Sequence, residues 1–112
     1  MENDVNMLLF EMQANICKSL SDSNRILVIH LLRDGEKSVN ALATELGISQ
    51  PNMSRHLAIL RDSGLVNTRR EGSTVYYSLR SPKIAEACDL VRSILSEQLE
   101  RNRELASSLL NS

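Results

Sequence analysis

The amino-terminal part of the chain alternates apolar and polar positions with the period of a helix. In residues 5–20 apolar side chains recur at three- and four-residue steps, which places them on one helical face. The short polar residues at 21–24 can cap a second helix over about 25–33, because their oxygens accept hydrogen bonds from free backbone N–H groups. This second helix is apolar on nearly all sides, so we expect it at the centre of the fold.

The next segment predicts two short helices joined by a tight turn. Ser38 can cap a helix over 39–46, and Gly47 stops it because glycine tolerates the left-handed conformation. Pro51 then lies in the first turn of a helix over 50–62, where its missing N–H does no harm. The core-facing positions of this helix are Met53, Leu57 and Leu60. Two helices joined through a glycine turn in this way are typical of a helix-turn-helix.

A change of period after residue 64 predicts a β-hairpin. Apolar and polar residues alternate over 74–80, which indicates a half-buried strand. Residues 65–70 are its expected antiparallel partner, with 71–73 at the tip. A helix-turn-helix followed by a two-stranded hairpin is the winged-helix arrangement, in which a helix enters the major groove of DNA and the hairpin reaches the adjacent backbone.

The last predicted helix begins at Ser81-Pro82 and meets no breaker before residue 110, so it extends for roughly 40 Å. Its apolar stripe comprises Ile84, Cys88, Val91, Leu95, Gln98, Asn102, Leu105 and Leu109, widened by Ile94 and Leu99. A lone small domain has little surface against which so long a helix could pack. We therefore expect a homodimer that forms through the first and last helices.

The complete pattern predicts a mainly α fold with a two-stranded β-hairpin wing, in the order α-α-α-α-β-β-α. No repeat or linker divides the chain, so residues 1–112 are expected to form a single domain for DNA binding and dimerisation. The 112 residues are 42% hydrophobic and 24% charged, which fits one compact core. No apolar run approaches the roughly 20 residues that span a bilayer, and no leader pattern is visible, so we expect a cytoplasmic protein without membrane contact.

The net charge of −1 argues mildly against DNA binding until its distribution is considered. Residues 1–24 carry four acidic side chains against one basic, whereas residues 36–80 carry six basic against four acidic. The excess of positive charge thus coincides with the predicted helix-turn-helix and hairpin, where it can face phosphates.

The side chains suited to DNA contact lie on the predicted recognition helix, 50–62, and on the wing, 69–75. Amide side chains pair with adenine and arginine pairs with guanine, and the exposed helix positions supply Gln50, Asn52, Ser54 and Arg55. The wing supplies Arg69, Arg70, Ser73 and Thr74, which can donate hydrogen bonds to phosphates.

The alternative to a DNA-binding protein is a winged-helix interaction module that does not read DNA. An enzyme is not expected, since no nucleophile–base pair, useful carboxylate pair or phosphate-binding glycine loop is present.

Several motifs resemble the ArsR/SmtB family of bacterial repressors. SQPNMSRHL at 49–57, followed by LRDSGLV at 60–66, is similar to that family's recognition-helix signature. RREG at 69–72 with VYYSL at 75–79 resembles its wing, and LSDSNRI at 20–26 resembles the opening of its second helix.

The resemblance implies a homodimeric transcriptional repressor that binds an inverted-repeat operator in double-stranded DNA and releases it when a signal arrives. Carried over by position, the family's helix contacts fall on Gln50, Ser54 and Arg55, with Asn52 and His56 beside them. The wing contacts would involve Arg69, Arg70, Ser73 and Thr74.

The familiar metal sites of this family are missing, so no metal or other cofactor is expected. The family's cysteine pair is replaced by SVNAL at 38–42, and the last helix contains Asp89 but no histidine. His30 is expected to be a satisfied core histidine.

The inducer could be a small molecule or a redox signal. Cys17 and Cys88 are expected to be packing residues by default, because free cysteine is usually buried. The alternative is a thiol switch that responds to oxidants or persulfides, as in family members with one cysteine in an early helix and one in the last.

Overall fold

The computed structural model describes residues 2–111, with side chains from residue 4 onward. The order of its elements confirms the predicted winged helix-turn-helix. These elements are α1 (Glu2–Ser19), α2 (Ser23–Leu31) with a 3₁₀ turn (Leu32–Asp34), β1 (Lys37–Ser38), α3 (Val39–Leu46), α4 (Gln50–Asp62), β2 (Val66–Glu71), β3 (Thr74–Leu79) and α5 (Pro82–Asn111).

Side-chain caps fix the starts of three consecutive helices. Asp22 accepts hydrogen bonds from the backbone N–H groups of Asn24 and Arg25 at the start of α2. Ser38 caps α3 and Ser49 caps α4 in the same manner. Gly47 has a φ of 67°, the left-handed conformation that ends α3 and allows α4 to begin after a short turn.

The sheet contains one strand more than the predicted hairpin. Strands β2 and β3 pair antiparallel from Val66↔Leu79 to Glu71↔Thr74, which leaves a two-residue turn. The predicted tip at 71–73 is therefore one residue too long. The short strand β1 pairs with the other edge of β3, and the strand order is β1-β3-β2. A two-residue strand has no periodicity from which a sequence pattern could identify it.

The core lies where α2, α3, α4 and the base of the hairpin meet. Met53, Leu57 and Leu60 are fully buried, as the helical spacing predicted. They pack with a cluster that also contains Val28, Ile29, Leu32, Leu42, Ala43, Leu65, Val66, Tyr77 and Ala85. This core holds the inner face of α4, so the opposite face of α4 is turned to solvent.

Helices α1 and α5 project from this core. The side chains of residues 4–18 and 90–111 are all exposed, including large apolar ones such as Leu9, Phe10 and Leu95. The radius of gyration is 18.0 Å, against about 13 Å for a compact domain of this length. The molecule is a small core of helices and hairpin, from which two amphipathic helices extend with their apolar side chains exposed. None of the helices within residues 2–111 is long and apolar enough to cross a membrane.

Candidate nucleic-acid interface

The exposed face of α4 presents the polar side chains that the sequence pattern singled out. Gln50, Asn52, Ser54 and Arg55 are all exposed, because the three apolar residues of the helix occupy its inner face. Ser49 accepts a hydrogen bond from the Asn52 backbone N–H at 3.3 Å, which orders the first turn. The amino-terminal half of α4 is therefore a fixed and accessible polar surface.

Arg55 is oriented by its neighbour on the same helix face. Its Nη2 donates a hydrogen bond to Asn52 Oδ1 at 2.8 Å, as the three-residue spacing on a helix allows. The Asn52 carbonyl thereby steadies the guanidinium but still leaves it several N–H donors. Arginine needs two parallel donors to pair with guanine, and this arrangement keeps them available.

The two arginines of the wing point to opposite faces of the hairpin. Arg69 lies opposite Tyr76 and Arg70 lies opposite Val75 in the register of β2 and β3. Successive strand residues alternate between faces, so the two side chains can reach phosphates only from opposite sides of the wing. The sequence prediction treated both as equivalent phosphate donors.

Arg69 is occupied by carboxylates within the chain. Its Nη2 and Nε donate to the two carboxylate oxygens of Glu36 at 2.6 and 3.1 Å, and its Nη1 donates to Glu71 at 3.0 Å. The guanidinium also lies over the Tyr76 ring, 4.7 Å from its centre. The hydrogen bond from Arg69 holds the pKa of Glu36 below its usual value, and Glu36 in turn raises the pKa of Arg69. Sequence inspection missed Glu36 because it lies 33 positions before Arg69.

Arg70 is the wing arginine that remains available for contact with a phosphate. It is exposed and forms no ion pair with any residue in the described part of the chain. Ser73 is exposed in the two-residue turn, and Thr74 is half-buried where β3 begins. The wing therefore offers Arg70 and Ser73 to a phosphate backbone more directly than Arg69 and Thr74.

Removing the Glu36 carboxylate is expected to leave Arg69 with Glu71 as its carboxylate partner and so to make two of its donors available for phosphate contact. Glu36→Gln keeps the shape of the side chain and removes the charge that pairs with Arg69. We expect affinity for random duplex DNA to rise about threefold and the slope of log K against log salt to steepen by about 0.9, the value for one added contact. Fluorescence anisotropy with a labelled random duplex, between about 50 and 200 mM salt, measures both quantities.

Glu97→Gln is the matched control for this charge change. Glu97 is exposed on α5, far along the chain from the wing, and is not part of the predicted apolar stripe. It is expected to leave the salt slope unchanged. A slope for Glu36→Gln that equals the wild-type slope would show that Glu36 does not withhold Arg69 from DNA.

His56 differs from the other predicted contacts in its surroundings. Only 12% of its side chain is exposed, and its Nδ1 accepts a hydrogen bond from Arg25 Nη1 at 3.2 Å. Asp22 Oδ1 lies 3.9 Å from the same nitrogen. The ring thus faces the start of α2 and is not part of the exposed face of α4. The amino-acid sequence gives no signal for the pairing of His56 with Arg25, because the two residues are 31 positions apart.

The remaining candidates for chemistry lie apart from this surface. Cys17 is exposed on α1 and Cys88 is half-buried on α5, and both are free thiols. Burial raises the pKa of the Cys88 thiol, which reduces its fraction of reactive thiolate. His30 Nδ1 is buried without a hydrogen-bond partner among the described residues, whereas the sequence suggested a satisfied core histidine.

Comparison with known proteins agrees with this geometry. Residues 22–68 match the model of the arsR family of bacterial regulatory proteins. The biofilm growth-associated repressor of Xylella fastidiosa strain Temecula1 is 38% identical over 85 residues, which cover 76% of this chain and 75% of that protein. The transcriptional activator HlyU of Vibrio cholerae is 37% identical over 94 residues, covering 79% and 87% of the two chains.

A solved structure gives the same result for the fold. The solution structure of the homodimeric winged helix-turn-helix DNA-binding domain of Mb0332 from Mycobacterium bovis superposes with a TM-score of 0.79 at 34% identity. The match covers 88% of this chain and 91% of that one. Sequence motifs, fold and the exposed polar face of α4 converge, and the chain belongs to the arsR family of bacterial regulatory proteins, which are DNA-binding transcriptional regulators and not enzymes.

Proposed function

We propose that this protein is a homodimeric transcriptional repressor that binds an inverted-repeat operator in double-stranded DNA. Helix α4 enters the major groove and the wing, 69–75, follows the flanking backbone. An inducing signal, a small molecule or a redox change, lowers the affinity and releases the promoter. The repressing direction is supported by the Xylella relative, whose name describes a repressor, although the Vibrio relative is named an activator.

The observation that carries this proposal is the division of α4 into a buried face and an exposed polar face. The exposed face, here called the reading face, carries Gln50, Asn52, Ser54 and Arg55. Met53, Leu57 and Leu60 fasten the helix to the core, while Asn52 and Arg55 are exposed and linked to each other. A polar helix that is merely solvated needs no such ordering. A pre-ordered amide–guanidinium pair is suited to base edges, and each good bidentate contact provides about 1–3 kcal/mol of discrimination.

The proposed dimer uses the two projecting helices. Exposed apolar side chains of α1 and of the distal part of α5 leave water only if a second copy covers them. The homodimeric state of the Mycobacterium bovis domain supports this arrangement. A two-fold dimer presents two copies of α4 to half-sites about one helical turn of DNA apart, which is why we propose an inverted repeat. We further propose that the chain works as one domain and acts in the cytoplasm, where its DNA target lies.

In this proposal, the exposure and the partners of each side chain determine whether it contacts bases, phosphates or neither. The base-reading residues are Gln50, Asn52, Ser54 and Arg55. Arg70 and Ser73 bind phosphates, with Thr74 at the margin. Arg69 binds phosphate only if DNA displaces Glu36. His56 supports α4 through its contact with Arg25 at the start of α2.

A thiol signal through Cys17 and Cys88 is the second candidate for the release step. The exposure of Cys17 favours it, because reagents reach that sulfur. The raised pKa of Cys88 disfavours it, because thiolate is the reactive form.

Arg55→Ala is expected to weaken operator binding about 5–150-fold, which corresponds to 1–3 kcal/mol, because it removes a base contact. The operator is first obtained by selection from a random duplex library with the wild-type protein. Anisotropy titrations then compare the selected duplex with a scrambled duplex. Affinity for the scrambled duplex is expected to change by about twofold or less, since that binding depends mainly on phosphate contacts.

Arg70→Ala is the matched arginine deletion on the wing. It should weaken both duplexes alike and reduce the salt slope by about 0.9. Equal losses on both duplexes for Arg55→Ala would refute its base-reading role. If the wild-type protein enriches no duplex, the interaction-module alternative replaces the proposed function.

A further inference from the structure

Three helices meet in a polar cluster on the inner side of α4. The cluster, here called the polar junction, comprises Ser19, Asp22, Arg25, His56 and Ser63. It joins the last residue of α1, the start of α2, and the middle and carboxyl end of α4. None of these side chains lies on the reading face of α4.

Arg25 links α1 to α4 directly. Its Nε donates a hydrogen bond to the Ser19 backbone carbonyl at 2.6 Å, and its Nη1 donates to His56 Nδ1 at 3.2 Å. A guanidinium has donors and no acceptor, so His56 Nδ1 must accept and the ring carries its proton on Nε2. The link therefore depends on a hydrogen-bond acceptor at position 56.

Asp22 binds the backbone at the start of α2, the helix that carries Arg25. Its carboxylate caps α2 through the backbone N–H groups of Asn24 and Arg25, at 2.9 and 3.2 Å. Desolvation alone would raise the pKa of Asp22, but these backbone N–H groups and the nearby charge of Arg25 hold that pKa below its usual value. The carboxylate thus fixes the first turn of α2, from which the Arg25 side chain extends to Ser19 and His56.

A second contact joins the same two helices further along α4. The hydroxyl groups of Ser19 and Ser63 are hydrogen-bonded to each other. Each hydroxyl has one proton, so one of them donates to the other, and the one that accepts donates its own proton to a carbonyl of its helix, that of Asn15 for Ser19 or that of Ile59 for Ser63, both at 2.9 Å. Ser63 lies seven positions after His56, or about 10 Å along the axis of α4. Two attachments at this separation on α4, both made through Ser19, restrict the direction of α4 relative to the end of α1 more than one attachment would.

We propose that Arg25 and His56 are positioning residues that set the angle between α1 and α4, and with it the half-site spacing that the dimer recognises. This inference rests on the proposed function, because α1 orients the recognition helices only if it forms part of the dimer interface. The apolar core determines that α4 is buried on one side. The polar junction determines its direction relative to the partner's copy.

The first test measures the helix angle without DNA. Residual dipolar couplings of the backbone N–H groups report the orientation of α4 relative to α1 in the wild type and in two His56 variants. His56→Leu removes the acceptor, and we expect the angle to change by about 10° or more, a shift that misplaces a functional site. His56→Asn retains an acceptor for Arg25 and should keep the wild-type angle. An unchanged angle in His56→Leu would overturn the proposal whether or not the protein binds DNA.

The second test measures spacing on DNA. The selected inverted repeat is compared with versions whose spacer is one base pair longer or shorter. We expect the wild type and His56→Asn to prefer the original spacer by about tenfold, and His56→Leu to retain a preference of about threefold or less. Loss of preference at one base position with spacing intact would instead mean that His56 reads a base, and would overturn its positioning role.

A double-mutant cycle tests whether the two residues act through each other. Arg25→Gln and His56→Leu are each expected to weaken operator binding about tenfold, and the double variant should lose little more than either single variant. Additive losses would contradict the link. Thermal melting accompanies every variant, and if Arg25→Gln does not fold, the His56→Leu and His56→Asn pair still decides the outcome.

Discussion

Replacing Leu95 with glutamate is expected to convert the proposed dimer into monomers and to weaken operator binding by about 100-fold or more. Leu95 lies in the middle of the exposed apolar stripe of α5, with 54% of its surface open in the single copy. A carboxylate there would have to be buried without a partner when two copies associate. Each monomer would then bind a half-site alone and lose the effective concentration that links the two half-sites, commonly worth a factor of 10²–10⁴.

Ser93→Glu is the matched control for this substitution. Ser93 is exposed on the same stretch of α5, on the side away from the apolar stripe, so the same charge remains in water. Analytical ultracentrifugation gives the mass of each variant and anisotropy gives its operator affinity. Dimeric Leu95→Glu with wild-type affinity would exclude this stripe from the interface.

Leu57→Ala is expected to lower the free energy of unfolding by about 2–5 kcal/mol, the range for deletion of a fully buried leucine. Leu57 is completely buried on the inner face of α4, between Met53 and Leu60. A domain of this size has about 5–15 kcal/mol of stability in total, so the loss is a large share of it. Urea denaturation at one fixed protein concentration measures the change, because the stability of a dimer depends on concentration.

Leu57→Met separates the effect of a cavity from the effect of any change at this site. It conserves volume, so we expect a loss below about 1.5 kcal/mol. A loss for Leu57→Ala as small as that of Leu57→Met would mean that the site collapses around the deletion and that the core around Leu57 is loosely packed.

Local signals explain why the helices and their ends were predictable. Ser38 caps α3 and Gly47 ends it because both roles depend on the chemistry of one residue and its nearest neighbours. The inner face of α4 was predictable for the same reason, since its apolar spacing repeats within three turns. The family resemblance then supplied the function, because its motifs occur in the same order along the chain.

The main features that escaped prediction depend on distant residues. Strand β1 exists because it pairs with β3, and its two residues carry no pattern of their own. The pairing of Arg69 with Glu36 and that of Arg25 with His56 join positions more than 30 apart. An arginine that binds a carboxylate and an arginine that awaits a phosphate have the same sequence signature. Only the folded chain distinguishes Arg69 from Arg70.

The exposure of α1 and the distal part of α5 ties the lifetime of this regulator to its copy number. Mass action makes association, and with it the free energy of unfolding, increase with protein concentration. In a cell with few copies, more subunits would be single, with the apolar residues of 4–18 and 90–111 open to proteases and chaperones. Turnover is therefore expected to be fastest when the regulator is scarce. Below a threshold level of expression, the regulator would not occupy its promoter.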